Sequence, residues 1–585
     1  MGSFEEFQKP SFTALHASSV TASLASTSLF QLDKSTLNEQ ELTAITYKRA
    51  KAIARAYDLT AQDIVFLKSK FWGLHTDQIC SMDGEAATLL TIQYNLVAGT
   101  LAPFAFQREE LQPLLQDILD FDVSSQFLLS EVGHGLDSPH LETTATLLPT
   151  GEFDLHTPSP LAAKWTSTTS PTGNIPRVAI VIAQLMIAGV NHGVRAFIVS
   201  LDDGKKMCSG ITTKIAASRT GGTRHGLTYF DHVYLPYEAL LGSLEMPKNL
   251  RQNFLEVIWR VGIGSLASSN MSIAAFKTSA YVAGRHSIRR RVTARNGTPM
   301  PAITFRPQQA PIMHAVAQAF VLEAYGKYAA SEFKDPRIDP RIRHGIAATL
   351  RTIVHQHCQN GLYSLAERCG GYGLFEYNQV IENQLSLRAV ALAEGDGLAL
   401  CIRLASELLI GRYGLPSPAD PSSFLARHET GLFDEARAVV IRIGEGHNCE
   451  TFNRLVLPLC QPLIEAIGHR MAYEAAVARG VDSDLIALYV AGAMRHDESW
   501  YVEHLGITRR DIAEMEDRAL SATFPRLETL LEQTGSKRFC TAPMVTDKSW
   551  AEFVDRLPGY EGDAAFSAIP GTHQAAACES PFSRL

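Results

Sequence analysis

Apolar residues recur at helical spacing along residues 42–119. Ala87, Leu90, Tyr94 and Val97, for example, are three or four residues apart, with polar residues between them. Because residues at this spacing share one face of an α-helix, the pattern predicts a helical region. We assign it to an N-terminal domain of residues 1–125.

Short β-rich runs replace this pattern in the next part of the chain. Runs of this kind, which turn-forming residues separate, are residues 179–182, 196–201 and 227–230. They predict a compact β domain over residues 126–245. The longest apolar run, residues 178–190, is too short to span a bilayer and is interpreted as buried strand.

Helical spacing returns near residue 253 and continues to about residue 531. This stretch is too long for one bundle, and the Gly- and Pro-rich run at 411–418 cannot readily continue a helix. It therefore predicts a boundary between two helical domains, residues 246–412 and 413–560. Beyond residue 535 the apolar residues no longer recur at helical spacing. This predicts loop-like structure there and a flexible tail of residues 561–585.

These patterns together predict an α+β multidomain fold. Its parts are an N-terminal helical domain, a central β-barrel or sandwich domain and two C-terminal helical bundles. At 585 residues the chain exceeds what one hydrophobic core usually organises, and 46% hydrophobic content is ample for several domains.

Charge and cysteine usage exclude some classes of function. The formal net charge of -8 argues against nucleic acid or an anionic membrane as the main partner. Nine cysteines are spread singly, without CxxC pairs, so we expect neither disulfides nor a metal site. His355 and His357 diverge by about 200° on a helix and cannot readily face one ion.

Three motifs in order carry a resemblance to a known family. The run from Ser130 to Gly135 has the sequence Ser-Glu-Val-Gly-His-Gly, residues 141–145 are Leu-Glu-Thr-Thr-Ala, and Lys164-Trp165-Thr166 follows. In order and spacing they resemble the flavin-facing strands of the acyl-CoA oxidases. The run from Tyr229 to Pro236 is similar to the strand that closes the β domain of that family. The resemblance covers residues 90–408 with recognisable motifs and implies FAD as the cofactor.

The resemblance also implies which residues hold FAD. Ser130, Gly133, Gly135, Trp165 and Thr166 match the part of the family that faces the flavin ring. Gly at such positions lets the main chain approach a ligand. Trp165 has the alternative role of a core aromatic residue.

A second set of residues is matched to the rest of the cofactor. Arg289 resembles the Arg that pairs with the FAD pyrophosphate of a neighbouring subunit, which implies a homodimer. Its alternative role is part of a solvated basic face. Gln308 matches a residue near the adenosine half, and Gly370 and Gly371 belong to a Cys-Gly-Gly-Tyr-Gly turn similar to one in the family.

Glu394 is the candidate catalytic residue. The run Ala393-Glu394-Gly395-Asp396 follows that turn as the catalytic Glu does in the family. A carboxylate suits the chemistry, because the α-proton of an acyl thioester is acidic enough for a desolvated carboxylate to remove. The implied reaction is α,β-dehydrogenation of an acyl-CoA, with O₂ as electron acceptor and H₂O₂ as product. The alternative is that Glu394 caps or solvates a helix end.

Departures from the family leave other functions open. Residues 166–171 replace a Gly-rich turn, Arg224-His225-Gly226 stands where Asp-Asn-Gly is usual, and Gly397 replaces an Asn. Three alternatives remain: a dehydrogenase with another electron acceptor, a flavin monooxygenase acting on a specialised or non-CoA substrate, and a non-catalytic acyl-CoA-binding subunit. Signatures of P-loop, zincin and α/β-hydrolase enzymes are lacking.

The chain ends in Ser583-Arg584-Leu585, a variant of the Ser-Lys-Leu tail that the peroxisomal import receptor binds. We therefore expect a peroxisomal location, with the import receptor, an acyl-CoA and O₂ as partners. No nucleic-acid or membrane partner is expected.

Overall fold

The computed structural model describes residues 20–34, 37–167, 169–216, 224–393, 395–444 and 449–564. Eight helices come first: α1 (Ala22–Ala25), α2 (Ser28–Gln31), α3 (Glu39–Tyr57), α4 (Ala61–Val65), α5 (Ser69–Thr76), α6 (Gly84–Leu90), α7 (Gly99–Ala105) and α8 (Gln112–Leu119). A π-helix, Thr91–Ala98, joins α6 to α7 without a break.

Side chains at their first turns define where these helices begin. Asn38 accepts hydrogen bonds from the backbone of α3 while Glu41 accepts one from the backbone N–H of Asn38, which is a capping box. The Asp83 carboxylate accepts from the Ala86 N–H and so caps α6. The capped start of α6 lies next to the cavity described below.

Twelve strands follow: β1 (Ser124–Leu128), β2 (Thr144–Leu147), β3 (Phe153–His156), β4 (Lys164–Ser167), β5 (Arg177–Ile187), β6 (Val190–Asp202), β7 (Ile211–Ile215), β8 (His225–Phe230), β9 (Val233–Leu235), β10 (Leu240–Leu241), β11 (Arg291–Thr293) and β12 (Pro299–Pro301). The last two form a separate hairpin.

The central strands form two sheets. The larger has the order β10-β6-β5-β2-β3-β9, with β1 pairing with β5, and the smaller has the order β4-β8-β7. The antiparallel β5–β6 hairpin turns at Ala188-Gly189, both with positive φ, so the apolar run at 178–190 is one long strand and the turn after it. Phe153 and Phe197 pack edge to face in the core of these strands.

The remaining helices are α9 (Leu250–Val257), α10 (Trp259–Arg289), α11 (Arg306–Lys334), α12 (Pro340–Cys369), α13 (Val380–Leu392), α14 (Gly397–Leu409), α15 (Phe424–Ile443), α16 (Glu450–Leu455), α17 (Leu457–Ala478), α18 (Ser483–Met494), α19 (Glu498–Leu505), α20 (Arg509–Thr523), α21 (Leu527–Gln533) and α22 (Asp547–Val554). Residue 394, between α13 and α14, is outside the described residues.

Helix α10 is the centre of the C-terminal part. It packs against α11, α12 and α13 and also against α5 and the π-helix. Ser, Ala and Gly residues along it let neighbours approach, and buried hydroxyls such as that of Ser269 donate to the carbonyl one turn earlier. The N-terminal and C-terminal helices therefore meet on this one helix.

Two expectations for the C-terminal half have different outcomes. A break between helices does occur at 410–423, where Gly411 has a φ of 74°, but α17 packs back on α11, α12 and α14 across it. The domain bounds themselves stay a prediction. The expectation of loop-like structure beyond residue 535 is wrong in part, because α22 forms there and Phe553 is buried against Tyr377. Among the described residues, no helix is both long and apolar enough to cross a membrane.

Candidate functional site

A large cavity lies where the two sheets, the N-terminal helices and the C-terminal helices meet. Its volume is about 2040 Å³, and its walls come from α6, the π-helix, the strands around β4, helices α9 and α10, and the segment from α13 to α14. A typical ligand pocket has about 300–1,000 Å³, so this cavity is larger than the pocket of one ordinary ligand.

Four of the predicted flavin-facing residues line this cavity: Ser130, Gly135, Trp165 and Thr166. The Ser130 carbonyl accepts a hydrogen bond from the Trp165 N–H at 3.0 Å, which fixes the turn against β4. The Trp165 indole is 41% exposed, faces the cavity and lies 5.8 Å from the His225 ring. A flat, half-exposed aromatic beside an open glycine is a surface on which a planar ring system can stack.

A buried ion pair holds this wall together. The Lys164 Nζ donates to the Glu131 carboxylate at 3.0 Å and to the carbonyls of Leu129 and Ile182 at 3.1 and 2.8 Å. Both charged side chains are fully buried. The Glu131 carboxylate also accepts from the Glu142 N–H at 2.7 Å and from the Thr143 N–H and hydroxyl at 3.0 and 2.6 Å.

The pKa values of the pair follow from these contacts. Burial alone would raise the pKa of Glu131, but the Lys164 ammonium and the donors of Thr143 and Glu142 outweigh it and hold that pKa below its usual range. Burial lowers the pKa of Lys164 to about 8, against the attraction of Glu131. At neutral pH the pair is therefore ionised and fixes the geometry of the turn that carries Ser130 and Gly135.

Gly133 lies in the same turn but does not line the cavity. Its N–H donates to the Leu161 carbonyl at 2.8 Å, and a Cβ on it would lie 3.0 Å from the Leu161 Cβ. This is tighter than most packing contacts, so close approach of Leu161 accounts for the glycine, and its contact with the cofactor stays a prediction.

The segment from α13 to α14 forms another part of the wall, with Ala393, Gly395 and Asp396 lining the cavity. Glu394 lies outside the described residues. The guanidinium of Arg351, on α12, donates to the carbonyls of Ala391 at 2.8 Å and Gly395 at 2.9 Å, and also to that of Ala393. One buried side chain thus holds the backbone on both sides of position 394 by hydrogen bonds.

Asp396 has a structural role at this wall. Its carboxylate accepts from the Ala399 N–H at 2.9 Å and caps α14. The cap fixes the end of the segment that begins at Ala391. Arg351 is a contribution that sequence reasoning missed, because an Arg in the middle of a long helix carries no local signal of the loop it reaches.

The other four predicted residues, Arg289, Gln308, Gly370 and Gly371, lie together but not at the cavity. They lie at the end of α10, the start of α11 and the end of α12. The Gln308 amide donates to the Ser287 hydroxyl and the Arg368 carbonyl, both at 2.8 Å. A Cβ on Gly370, whose φ is 62°, would lie 2.9 Å from the Arg290 guanidinium.

Arg289 has partners within the chain. It donates to the Asp547 carboxylate at 2.5 Å and to the Met544 carbonyl at 3.1 Å. The Asp547 side chain is 90% exposed, so this is a surface ion pair that is worth little and can be exchanged for another anion.

Glu85 on α6 and Ser386 on α13 are among the cavity residues that were not anticipated from the sequence. A carboxylate in the first turn of a helix is favoured by the helix dipole and is usually solvated, so Glu85 carried no distinguishing signal. Away from the cavity, His156, Asp231 and His232 bring ligand atoms within 4.8 Å of one another. The expectation of no metal site stays a prediction.

No protein-family model matches the chain. It is 27% identical over 314 residues to the peroxisomal acyl-coenzyme A oxidase 1 of Arabidopsis thaliana, a match that covers 48% of this chain and 46% of the relative. The chain spans about half the length of the curated relatives it matches.

Solved structures match over most of the chain. Acyl-CoA oxidase 1 from Yarrowia lipolytica has a TM-score of 0.79 at 16% identity, covering 93% of this chain and 90% of that one. Acyl-CoA oxidase-2 from Caenorhabditis elegans, bound with FAD, ascaroside-CoA and ATP, has a TM-score of 0.68 at 17% identity, covering 90% and 93%. These matches confirm the predicted fold class and the predicted resemblance. The chain is thus similar in sequence to acyl-CoA oxidases over about half of its length and has their fold.

Proposed function

We propose that this protein is an FAD-dependent acyl-CoA oxidase. It would remove one hydrogen from the α-carbon and one from the β-carbon of an acyl-CoA, and reduce O₂ to H₂O₂. The observation that carries the proposal is the cavity, which lies between the wall of Ser130 and Trp165 and the segment around position 394. Relatives named acyl-CoA oxidases support it.

The residues of the β wall fit a flavin. The Trp165 indole offers a face for stacking, Gly135 leaves open space where a Cβ would stand, and Ser130 and Thr166 supply polar groups along the same wall. When bound, FAD would take the hydride from the β-carbon and pass the electrons to O₂. The Glu131–Lys164 pair would keep this wall in one shape.

Glu394 would act as the catalytic base. Its neighbours Ala393 and Gly395 line the cavity, and Arg351 holds the carbonyls on both sides of it. Desolvation makes a carboxylate a stronger base toward the α-proton of a thioester, which is the role that we propose for Glu394.

The cavity also has groups suited to the phosphates of CoA. Arg251, in the first turn of α9, and Arg403, on α14, line it, and the Arg403 guanidinium lies 3.6 Å from the Glu407 carboxylate on the same helix. Guanidinium binds phosphate oxygens in bidentate fashion. We propose that these residues contribute to recognition of the CoA portion of the substrate.

Two further parts of the proposal concern the whole protein. We propose a homodimer, in which Arg289 exchanges Asp547 for the pyrophosphate of the partner's cofactor. We also propose a peroxisomal location, since the Arabidopsis relative is named peroxisomal and the last three residues resemble an import tail. Those three residues lie outside the described part of the chain.

The visible spectrum of the purified protein tests the proposed reaction. Anaerobic addition of an acyl-CoA should bleach an oxidised-flavin band near ~450 nm, and air should restore it with release of H₂O₂. Glu394→Gln should retain FAD but lose the bleaching, because the amide cannot accept the α-proton.

Each contrary result points to a different alternative. Bleaching that air does not reverse would indicate a dehydrogenase that needs another electron acceptor. A flavin that no acyl-CoA bleaches would overturn the acyl-CoA assignment in favour of other substrates. A protein that binds no FAD would leave only a binding role.

A further inference from the structure

Five ionisable side chains meet beside the cavity at the start of α6. Two of them are cations, and each forms an ion pair with a carboxylate: Arg49 with Asp83 at 3.1 Å, and Lys34 with Glu382. The fifth is Glu85, whose carboxyl forms an ion pair with neither of these two cations. Among the described residues, its carboxyl makes neither a hydrogen bond nor an ion pair.

The environment of Glu85 favours its neutral form. Burial raises the pKa of this carboxyl to about 8, the negative charge of Asp83 adds to the effect, and Lys34 opposes it only in part. At neutral pH the group is mostly protonated and can donate one hydrogen bond. The Glu85 side chain is partly exposed and lines the cavity, so a ligand in the cavity can reach its carboxyl.

Glu85 faces the cavity and has a second unsatisfied group near it. Ser386 lines the cavity from α13, and a Cβ on Gly84 would lie 2.9 Å from its Cβ, so the two helices touch next to Glu85. No hydrogen bond of the Ser386 hydroxyl occurs among the described residues. By contrast, the Thr88 hydroxyl one turn further donates to the Gly84 carbonyl at 2.9 Å.

We propose that this end of the cavity binds an oxygen substituent, a hydroxyl or keto group, on the chain of the acyl substrate, with Glu85 and Ser386 as its hydrogen-bond partners. The inference rests on the proposed acyl-CoA oxidation and names the class of acyl group. Ile92, Leu96 and Met271, which continue the same wall, would contact the methylene part of the chain. An unsubstituted chain would leave both polar groups without partners, and such sites discriminate strongly against it.

Matched acyl-CoA pairs test the proposal. We would measure kcat/KM for H₂O₂ release with octanoyl- and dodecanoyl-CoA, and with derivatives that carry a hydroxyl or keto group at successive carbons beyond the β-carbon. The wild type should prefer one substituted chain over its unsubstituted partner by about tenfold or more, and Glu85→Leu should remove about tenfold of that preference. Calorimetric titration of the Glu394→Gln variant with the same pairs should give the same order of affinities without turnover.

Two variants control for structural effects. Glu85→Gln still offers a donor and should keep most of the preference, and Thr88→Val, which removes a hydroxyl already bonded within its helix, should leave the preference unaltered. Glu85→Leu should unfold at a temperature close to that of the wild type, because the half-buried carboxyl makes no hydrogen bond or ion pair with the described residues.

The outcomes separate this inference from the proposed function. A wild type that bleaches and releases peroxide with unsubstituted acyl-CoA at least as well as with every substituted one would overturn the inference and leave the proposed function standing. An unchanged preference in the Glu85→Leu variant would also overturn the inference and leave the proposed function standing. Bleaching by none of the acyl-CoAs would overturn the proposed function, and with it the inference.

Discussion

Lys164 is the single residue whose removal should damage the β wall most. All three protons of its ammonium group have acceptors, and the side chain is fully buried. Lys164→Met would leave the Glu131 charge buried without its cation, so we expect a loss of about 3–5 kcal/mol in the free energy of unfolding. Urea unfolding of the purified variant measures this loss.

The control is the double variant Lys164→Met with Glu131→Gln. Because the amide carries no charge, the double variant should be more stable than Lys164→Met alone, and the difference gives the coupling between the two residues. Equal stability of the single and double variants would mean that the Glu131 charge is accommodated without Lys164.

At the scale of residues, the sequence located part of the site. Ser130, Gly135, Trp165 and Thr166 could be placed at one cavity because two adjacent motifs fixed a turn and a strand. Gly133 lies in the same motif, yet its packing depends on Leu161, which no local pattern connects to it. Glu85 could not be recognised either, since only the folded chain brings Lys34, Arg49 and Glu382 around it.

At the scale of elements, Arg351 connects α12 to the segment between α13 and α14. Arg351→Met would leave three carbonyls around position 394 without their common donor. Because a misplaced base slows the chemical step more than it weakens binding, we expect kcat to fall by about 10- to 100-fold with a smaller change in KM. Stopped-flow measurement of flavin bleaching isolates that step.

Arg351→Lys is the matched control for this prediction. It keeps the charge and part of the hydrogen bonding, so it should recover some of the bleaching rate. A fall in FAD content and thermal stability that matches the fall in rate would instead indicate that Arg351 only stabilises the fold.

Elements with a long, regular period were predictable, and short ones were not. The helical spacing of α10 to α12 and the turn residues around β5 and β6 define those elements locally. Helix α22 has two turns, and its Trp550 and Phe553 pack against Tyr372 and Tyr377 from a distant part of the chain. Such tertiary contacts stabilise a helix that its own sequence indicates only weakly.

At the scale of the whole molecule, the predicted cofactor residues form two separate groups. Four predicted cofactor residues line the cavity, while Arg289, Gln308, Gly370 and Gly371 lie elsewhere, next to the exposed side chains of Leu374 and Phe375. If both groups serve one cofactor, the second group must act on the cavity of a partner copy. In a symmetric dimer this exchange would be reciprocal.

Mixing two inactive variants tests this arrangement. Arg289→Ala would weaken FAD binding in the partner, and Glu394→Gln would disable the base in its own protomer. A mixed dimer of the two has one site with both residues intact, so co-refolded or co-expressed variants should recover about a quarter of the wild-type activity per site.

Each variant alone should stay inactive, and Arg290→Ala in place of Arg289→Ala controls for loss of charge at the end of α10. If mixing restores nothing while light scattering shows a dimer, Arg289 acts within its own chain, and its ion pair with Asp547 is its function.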